Sequence, residues 1–435
     1  MAEGLGQALR QHASFDAAIE IFNQLRRSAL DRNDMDSAAR AFRNLFFIQN
    51  FQGEHHSTLK IAQEAAATAR QTQNLNDLAL ALAAQSWAYA YLGDFRQALT
   101  LAKEALNVSI KAGAKREMAY CQALIGFIGR QTRKFKQAQS ATEKAVNLFR
   151  EIGDRYWRML MINNLGWIAW QERQYASAKA QFNKSLNMAR DMGDAFGALR
   201  NLQGLSQIAI HQQAHEEAEQ HLLQGLIWAE KSQNVHFKLL SIVDLSRFYL
   251  IQQGQAETAV AQAEHLRQAR QWLERGLEMA QDNYPLLHVI LQTEMSRLLL
   301  AEHQIIKALA QIQQTFQQIQ EKNIEQQGLA GLKAHAIAWR ELGNIAAQLP
   351  PGNLPVFVNG KPYQIADCYQ QSLQLLIKQT NNVKIEAART LFDWAVFEIR
   401  ANRQQRGEML WQQAQAIYGQ LGLTEEIAKM ERFKL

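Results

Sequence analysis

Cysteine, proline and long apolar runs are all scarce in this chain of 435 residues, and each scarcity removes a class of structure. The two cysteines, Cys121 and Cys368, lie far apart and in no CxxC pair, which excludes a zinc ribbon or a thioredoxin-type dithiol. So few in so long a chain point to a reducing compartment. Of five prolines, four (Pro350, Pro351, Pro355 and Pro362) fall within thirteen residues, leaving the rest of the chain almost free of helix breakers. No stretch approaches the ~18 apolar residues that span a bilayer. Residues Met1 to Gln11 lack a basic-then-apolar leader, so a cytoplasmic protein with no membrane role is expected. Lys and Arg outnumber Asp and Glu by 47 to 41, a net charge of +6, but the basic residues are interleaved with acidic ones. Without clustering, a nucleic-acid partner is not expected.

Signatures of chemistry are missing as well. No GxxxxGK sequence and no strand-borne GxGxxG is present to cradle a phosphate, and neither HExxH nor GxSxG occurs. His211, His215 and His221, with Glu216, Glu217 and Glu219 between them, form the one histidine cluster. His215 and Glu219 are four apart and share a helix face, as metal ligands can. His211, however, belongs to the preceding helix with a turn between, so the cluster reads as a solvated repeat edge. His55-His56, placed in another inter-helix turn, reads the same way. Cys121 sits in mid-helix among Ala119, Leu124 and Ile125, the setting of a buried, inert thiol. The expectation is a chain with no catalytic residues, no metal and no cofactor.

What the chain does have is a period. Leu25, Ala65, Ala105, Ala145, Ser185 and Gly225 fall 40 positions apart, each inside one local pattern. Around Ala105 it reads Gly93-Asp94-Phe95-x-x-Ala98-x-x-x-Ala102-x-x-Ala105, and around Ser185 it reads Arg173-Gln174-Tyr175-x-x-Ala178-x-x-x-Phe182-x-x-Ser185. A fixed period of this size marks a stack of supersecondary units, which also evades the size limit of a single core because each unit touches only its neighbours. Apolar residues recur at three- and four-residue spacing within each unit, the helical period: Leu160, Ile162, Leu165, Ile168 and Ala169 form one face, and Tyr175, Ala178, Phe182, Ser185, Leu186 and Ala189 another. Asn33, Gly113, Gly153, Gly193, Asn323 and Gly422 stand eight residues past the repeat anchor, where a left-handed residue ends a helix. Asp154 and Asp194 follow, suited to capping the next one.

The later anchors are Gly276, Thr315, Ser372 and Ala414, whose uneven spacing requires two insertions. The first, near residues 254–264, is rich in Ala and Gln and reads as a helical extension or a short extra turn. The second holds Val356-Phe357-Val358-Asn359-Gly360-Lys361-Pro362-Tyr363, in which Asn-Gly between β-prone residues predicts a hairpin. The expected division is an N-terminal capping helix over 1–33, a repeat array over 34–349, a Pro-rich hairpin insertion over 350–363, and C-terminal units with a cap over 364–435.

The Leu-Gly, aromatic and Ala…Ala signature, clearest in Asn164-Leu165-Gly166 with Tyr175, Ala178 and Phe182 and repeated at Leu342-Gly343, resembles the tetratricopeptide repeat. Units of forty rather than 34 residues resemble the long repeats of kinesin light chain and of spindle-orientation adaptors. The stretch Ala387-Ala388-Arg389-Thr390-Leu391 with Trp394 and Leu410-Trp411-x-x-Ala414-x-x-Ile417-Tyr418-x-x-Leu421-Gly422-Leu423 is similar to the end of the helical arms of bacterial signalling ATPases and cyclases, although no nucleotide-binding domain accompanies it. The resemblance implies an all-α, right-handed superhelical solenoid of about nine helix pairs behind the capping helix, with a small β-hairpin near residues 354–363.

It also implies a function: a non-catalytic scaffold or adaptor that holds a peptide or a partner-protein segment in a concave groove. The alternatives are a regulatory sensor arm for a separate signalling enzyme, such as an ATPase, cyclase or protease, or a receptor for a peptide signal. By the same resemblance Asn44 and Asn164 occupy positions where an amide bridges a bound main chain. Around them the expected groove holds Arg40, Arg43, Arg130, Arg200 and Arg247 with Phe47, Phe51, Trp87, Tyr91, Phe127, Trp167 and Trp170. Aromatic residues and arginine together are the usual anchors of protein interfaces, and a partner segment of acidic character would complement the arginines. On the hairpin, Phe357, Asn359 and Lys361 are the expected contacts.

Overall fold

The computed structural model describes residues 15–32, 34, 37, 38, 41, 42, 44, 45, 55–377 and 381–431. Among these lie nineteen α-helices and one two-stranded hairpin. The chain forms two units, residues 1–245 and 246–435, with the division falling inside a helix.

Unit 1 contains α1 (Phe15–Asp31), α2 (His55–Gln71), α3 (Leu75–Leu92), α4 (Phe95–Lys111), α5 (Lys115–Gln131), α6 (Phe135–Glu151), α7 (Arg155–Gln171), α8 (Tyr175–Met192), α9 (Ala195–His211), α10 (His215–Lys231) and the start of α11 (Val235–Gln255). Consecutive helices pack as antiparallel pairs, α3 with α4, α5 with α6, α7 with α8 and α9 with α10. Ala41 and Leu45 pack on Ala18 and Phe22 of α1, and Phe42 packs on Ala62 of α2. Starts and stops follow the sequence signals. The Asp94, Asp154 and Asp194 carboxylates accept from the backbone N–H of Gln97, Trp157 and Gly197 at 2.9, 3.1 and 2.8 Å, while Gly113, Gly153 and Gly193 take left-handed φ values of 65, 73 and 63°. Asn33 lies outside the described residues.

Most of the forty-residue anchors are buried between helices. Ala105, Ala145 and Ser185 are fully buried, as are Thr315, Ser372 and Ala414 in unit 2. Around Ser185 this packing is clearest. A Cβ on Gly166 would lie 2.6 Å from the Phe182 ring and one on Gly204 would lie 2.5 Å from it, so the ring fills the space between α7 and α9 that two glycines leave. A buried amide chain ties the same three helices: Asn163 Nδ2 donates to Asn201 Oδ1 (2.9 Å), Asn201 Nδ2 donates to Ser185 Oγ (2.9 Å), and Ser185 Oγ donates to the Met159 carbonyl (2.9 Å).

Unit 2 continues with α12 (Ala259–Ala280), α13 (Pro285–Ala301), α14 (Ile305–Glu321), α15 (Gly328–Ala346), α16 (Ile365–Ile377), α17 (Asn381–Arg400), α18 (Gln404–Gln420) and α19 (Thr424–Glu431). Around the first insertion α11 and α12 run to 21 and 22 residues against the 17 of most helices, so the added residues extend helices rather than form a loop. The second insertion is the hairpin β1 (Val356–Val358) and β2 (Lys361–Tyr363), antiparallel with Phe357 opposite Pro362. Asn359 and Gly360 turn it with φ of 49 and 77°, the pair of positive values that a two-residue turn of this hand requires. It folds back on the neighbouring pair: Gln313 Nε2 of α14 donates to the Phe357 carbonyl at 2.8 Å, and Tyr363 packs edge-on to Trp339 at 4.8 Å. Val356 and Val358 are buried beneath it.

Close packing at Phe182 predicts the effect of a single methyl group. Gly166→Ala and Gly204→Ala should each destabilise by ~1–3 kcal/mol through overpacking. Gly193→Asn, at a left-handed position with open space around the added Cβ, should stay within ~0.5 kcal/mol. Urea midpoints followed by helical circular dichroism distinguish the two sets.

Candidate functional site

In unit 1 the first helices of successive pairs touch one another, α3 with α5, α5 with α7 and α7 with α9. The second helices meet less closely, so the stack bends with its first helices on the inner side. That inner wall is aromatic. Trp87 and Tyr91 of α3 stack at 5.9 Å, and both meet Phe127 of α5, at 5.4 and 6.1 Å. Trp87 also reaches Trp157 of α7 at 6.4 Å, two pairs along. His55, at the start of α2, lies flat against Tyr91 with ring centroids 5.1 Å apart and planes 3° apart. Tyr91 stays 37% exposed, a large ring on display at the end of a packed row.

Two arginines border this row without a counter-ion. The guanidinium of Arg130 lies over the Phe127 ring at 5.6 Å, and that of Arg200 over Phe196 at 5.4 Å. The Nε of each is shut off from solvent with no hydrogen-bond acceptor, and no carboxylate pairs with either among the described residues. Arg130, Arg200 and Tyr91 nonetheless lie within electrostatic reach of one another, and Tyr156 of α7 adds to the field at Arg200. Burial, then the like charge of Arg200, pulls Arg130 down to about 9. Burial also lowers Arg200, with Tyr91 and Tyr156 opposing the shift. Arg130 therefore still carries its charge at neutral pH, within electrostatic reach of a second cation. The Nε1 of Trp170, on the intervening α7, is another buried donor without an acceptor.

Unit 2 treats its inner-helix arginines differently. Glu294, buried in α13, accepts from Arg247 Nε at 2.7 Å and from Arg297 Nη1 at 2.9 Å. Arg340 of α15 donates to Glu386 of α17 at 2.7 Å, with Glu341 and Asp393 at 3.5 and 3.6 Å. Glu386 also takes Arg389 at 3.0 Å and Lys333 at 3.5 Å. Burial works against the charge of Arg340, yet Glu386, Glu341 and Asp393 outweigh it and hold the group above the usual arginine range. Burial likewise opposes the charge of Glu294, and Arg247 and Arg297 outweigh it and keep it ionised.

The sequence-predicted residues are thus divided. Trp87, Tyr91, Phe127 and Arg130 come together, with Arg200 joining from α9. Trp167 and Trp170 are half-buried and pack on each other at 5.7 Å, Trp167 also on Phe182 at 5.2 Å. Asn164 is buried and its amide donates to Thr142 Oγ1 at 3.1 Å, a tie between helices. Asn44 is half-buried and already has a partner. Arg247 is neutralised by Glu294. Phe357, Asn359 and Lys361 are all exposed, Phe357 by 52%. Arg40, Arg43, Phe47 and Phe51 lie outside the described residues. Sequence reasoning passed over Tyr156 and Phe196, and it read His55 as a solvated turn residue; the structure buries His55 on Tyr91 as the first residue of a helix.

Elsewhere the chemistry is quiet. His211 packs on Tyr175 at 4.2 Å and His221 sits 3.5 Å from Glu217, so the histidines do not converge. Among the described residues no cluster of His, Cys, Asp and Glu is arranged to hold a metal ion, and no helix is long and apolar enough to cross a membrane. Burial pushes the thiols of Cys121 and Cys368 up to about 12, which keeps both protonated and unreactive.

No protein-family model matches the chain, and no curated protein matches it in sequence. Solved structures do share its fold. The crystal structure of a Rap protein complexed with competence and sporulation factor aligns with 88% of this chain and 98% of its own, at 12% identity and a TM-score of 0.53. The apo form of RapI aligns with 70% of this chain and 99% of its own, at 12% identity and a TM-score of 0.50. At such identity the likeness establishes the fold alone, an all-helical stack of the tetratricopeptide type.

Two outcomes follow from the charge pattern. Glu294→Gln should destabilise by less than the ~3–5 kcal/mol of a fully buried broken pair, because Arg247 and Arg297 keep access to water. Arg130→Gln and Arg200→Gln should leave the urea midpoint unchanged or raise it, since each removes a like-charge contact; a fall of more than ~1 kcal/mol would make these arginines structural. The buried histidines set a pH dependence. Burial holds His55 and His236 down to about 4, whereas both titrate near ~6.5 in the unfolded chain. Between those values the unfolded state binds more protons, so stability is present above pH ~6.5 and is lost as pH falls toward 4. His55→Gln should flatten part of that loss, measured as urea midpoints against pH.

Proposed function

We propose that this chain is a non-catalytic interaction scaffold whose unit 1 grips a peptide or partner-protein segment along its inner wall. The observation that carries the reading is the row Trp87, Tyr91 and Phe127, ending in an exposed ring and bordered by two arginines that no carboxylate among the described residues neutralises. Aromatic surface held rigid by its own helices loses little side-chain entropy on binding, and unpaired arginine offers directional donors. A segment of acidic character suits that charge.

Acceptors for a bound main chain are present too. Gln131 and Gln171 occupy, one and two repeats on, the place that Tyr91 holds in α3, and each keeps a buried amide oxygen without a donor. They fit the main-chain role that the sequence resemblance gave to Asn164. In unit 2 the exposed Phe357, Asn359 and Lys361 present a further contact surface on a hairpin braced by α14. A reducing, cytoplasmic setting suits two cysteines that are both free and buried.

Affinity capture from the native host with mass spectrometry tests this. Tyr91→Ala should deplete the specific partners at least tenfold relative to wild type, whereas Lys144→Ala, on the exposed face of α6, should leave them in place. Equal recovery with both variants would refute the inner wall as the binding surface.

A further inference from the structure

We propose that Arg130 and Arg200 form a receptor for one carboxylate group of the bound segment, closed in by the Tyr91 and Tyr156 hydroxyls. This rests on the reading of unit 1 as a peptide-gripping wall and adds the chemistry that the wall selects.

The argument begins with donors that lack acceptors. A ring attracts a cation held over it without satisfying any N–H donor of the guanidinium. Arg130 lies over Phe127 at 5.6 Å and Arg200 over Phe196 at 5.4 Å, and both have a solvent-excluded Nε with nothing to donate to. A buried unmade hydrogen bond on a charged group is expensive. Two of them within electrostatic reach of each other, with like charges, make an arrangement that an anion relieves and that nothing among the described residues of unit 1 does.

A contrast within the chain shows that this is not a general habit of its inner helices. Arg247 and Arg340, also on first helices of their pairs, receive Glu294 and Glu386 at 2.7 Å. Unit 1 leaves Arg130 and Arg200, at other positions of their helices, without such a partner among its described residues.

The shape of the donor set favours a carboxylate. The Nε and Nη edge of arginine matches two oxygens in one plane. Phe127 and Phe196 lie under the two guanidiniums, and Tyr91 and Tyr156 are within electrostatic reach. A carboxylate attached to an apolar or main-chain stem fills such a place with charge at one end and ring contact along the stem. That carboxylate has two possible sources, a chain terminus or an acidic side chain.

The full-length protein, followed by tryptophan fluorescence and thermal shift at constant ionic strength, distinguishes them. N-acetylglycine carries only a terminal carboxylate, glutamic acid blocked as its N-acetyl methylamide carries only a side-chain one, and inorganic phosphate is the competing anion. We expect saturable binding of one carboxylate probe, tighter than phosphate, weakened at least tenfold in Arg130→Gln and in Arg200→Gln. Arg130→Lys, which keeps the charge and loses the fork, should weaken it as well, and circular dichroism identifies any variant that fails to fold. No saturable carboxylate binding, a preference for phosphate, or unchanged binding in both Gln variants would overturn the proposal. The two levels fail separately. Captured partners that are lost with Tyr91→Ala but kept with Arg130→Gln remove the carboxylate receptor and leave the scaffold, while a carboxylate probe that binds a protein with no Tyr91-dependent partner does the reverse.

Discussion

Close approach of helices at one small residue in every forty is the constraint from which the rest of the structure follows. Ala105, Ala145 and Ser185 have no exposed surface, and the space they concede is filled from the neighbouring helices, as Phe182 fills the gap left by Gly166 and Gly204. Packing of this density fixes the rotation of each helix about its axis. Once rotation is fixed, the residues of the first helices that do not face their partners are delivered to one wall, repeat after repeat. Tyr91, Gln131 and Gln171 reach equivalent places for that reason, and so the wall's chemistry is set by a few register positions rather than by any local motif.

The arginines of the first helices are used in two ways. In unit 2, buried carboxylates are placed where they meet the inner arginines of adjacent pairs, and the charges cancel within the protein. A buried pair of this kind contributes little net stability over an apolar equivalent but fixes which side chains face each other. In unit 1 the register brings arginine toward arginine and tyrosine, and the balance is left open. Burial and like charge both act to lower the affinity of Arg130 for its proton, with Tyr91 opposing them, and no carboxylate among the described residues pairs with it. Sites that carry such uncompensated cost are where binding is to be sought.

Much of the fold was legible in the sequence because it rests on short-range signals. The forty-residue period located the helix pairs, Gly113, Gly153 and Gly193 located their ends, and Asn359-Gly360 located the hairpin. Some helix ends carried no such signal: Arg133, Arg173 and Gln213 adopt left-handed φ near 60° without being glycine or asparagine. The site was legible only in part. Arg200 and Arg247 look alike in sequence, and what separates them is a glutamate 47 residues away from one of them. Asn164 matched a binding position by resemblance, yet Thr142 of the preceding helix takes its amide. His55 read as a polar turn residue, whereas the helix starting at that residue turns its ring onto Tyr91. Each of these depends on a contact between repeats, which a pattern within one repeat cannot report.

A stack of repeats is suited to carrying an open charge of this kind. Stability in such an array is close to a sum of local terms between neighbours, so the cost of Arg130 and Arg200 falls on the interfaces of α5, α7 and α9. Those are the interfaces that the buried Asn163, Asn201 and Ser185 chain and the Phe182 ring reinforce. The apolar and amide contacts on the far side of the first helices hold the wall rigid while its near side remains short of an anion. Rigidity of that sort matters for recognition, because donors already fixed in place need no ordering when a ligand arrives. The packing that defines the repeat is therefore also what holds two like charges within electrostatic reach of one another.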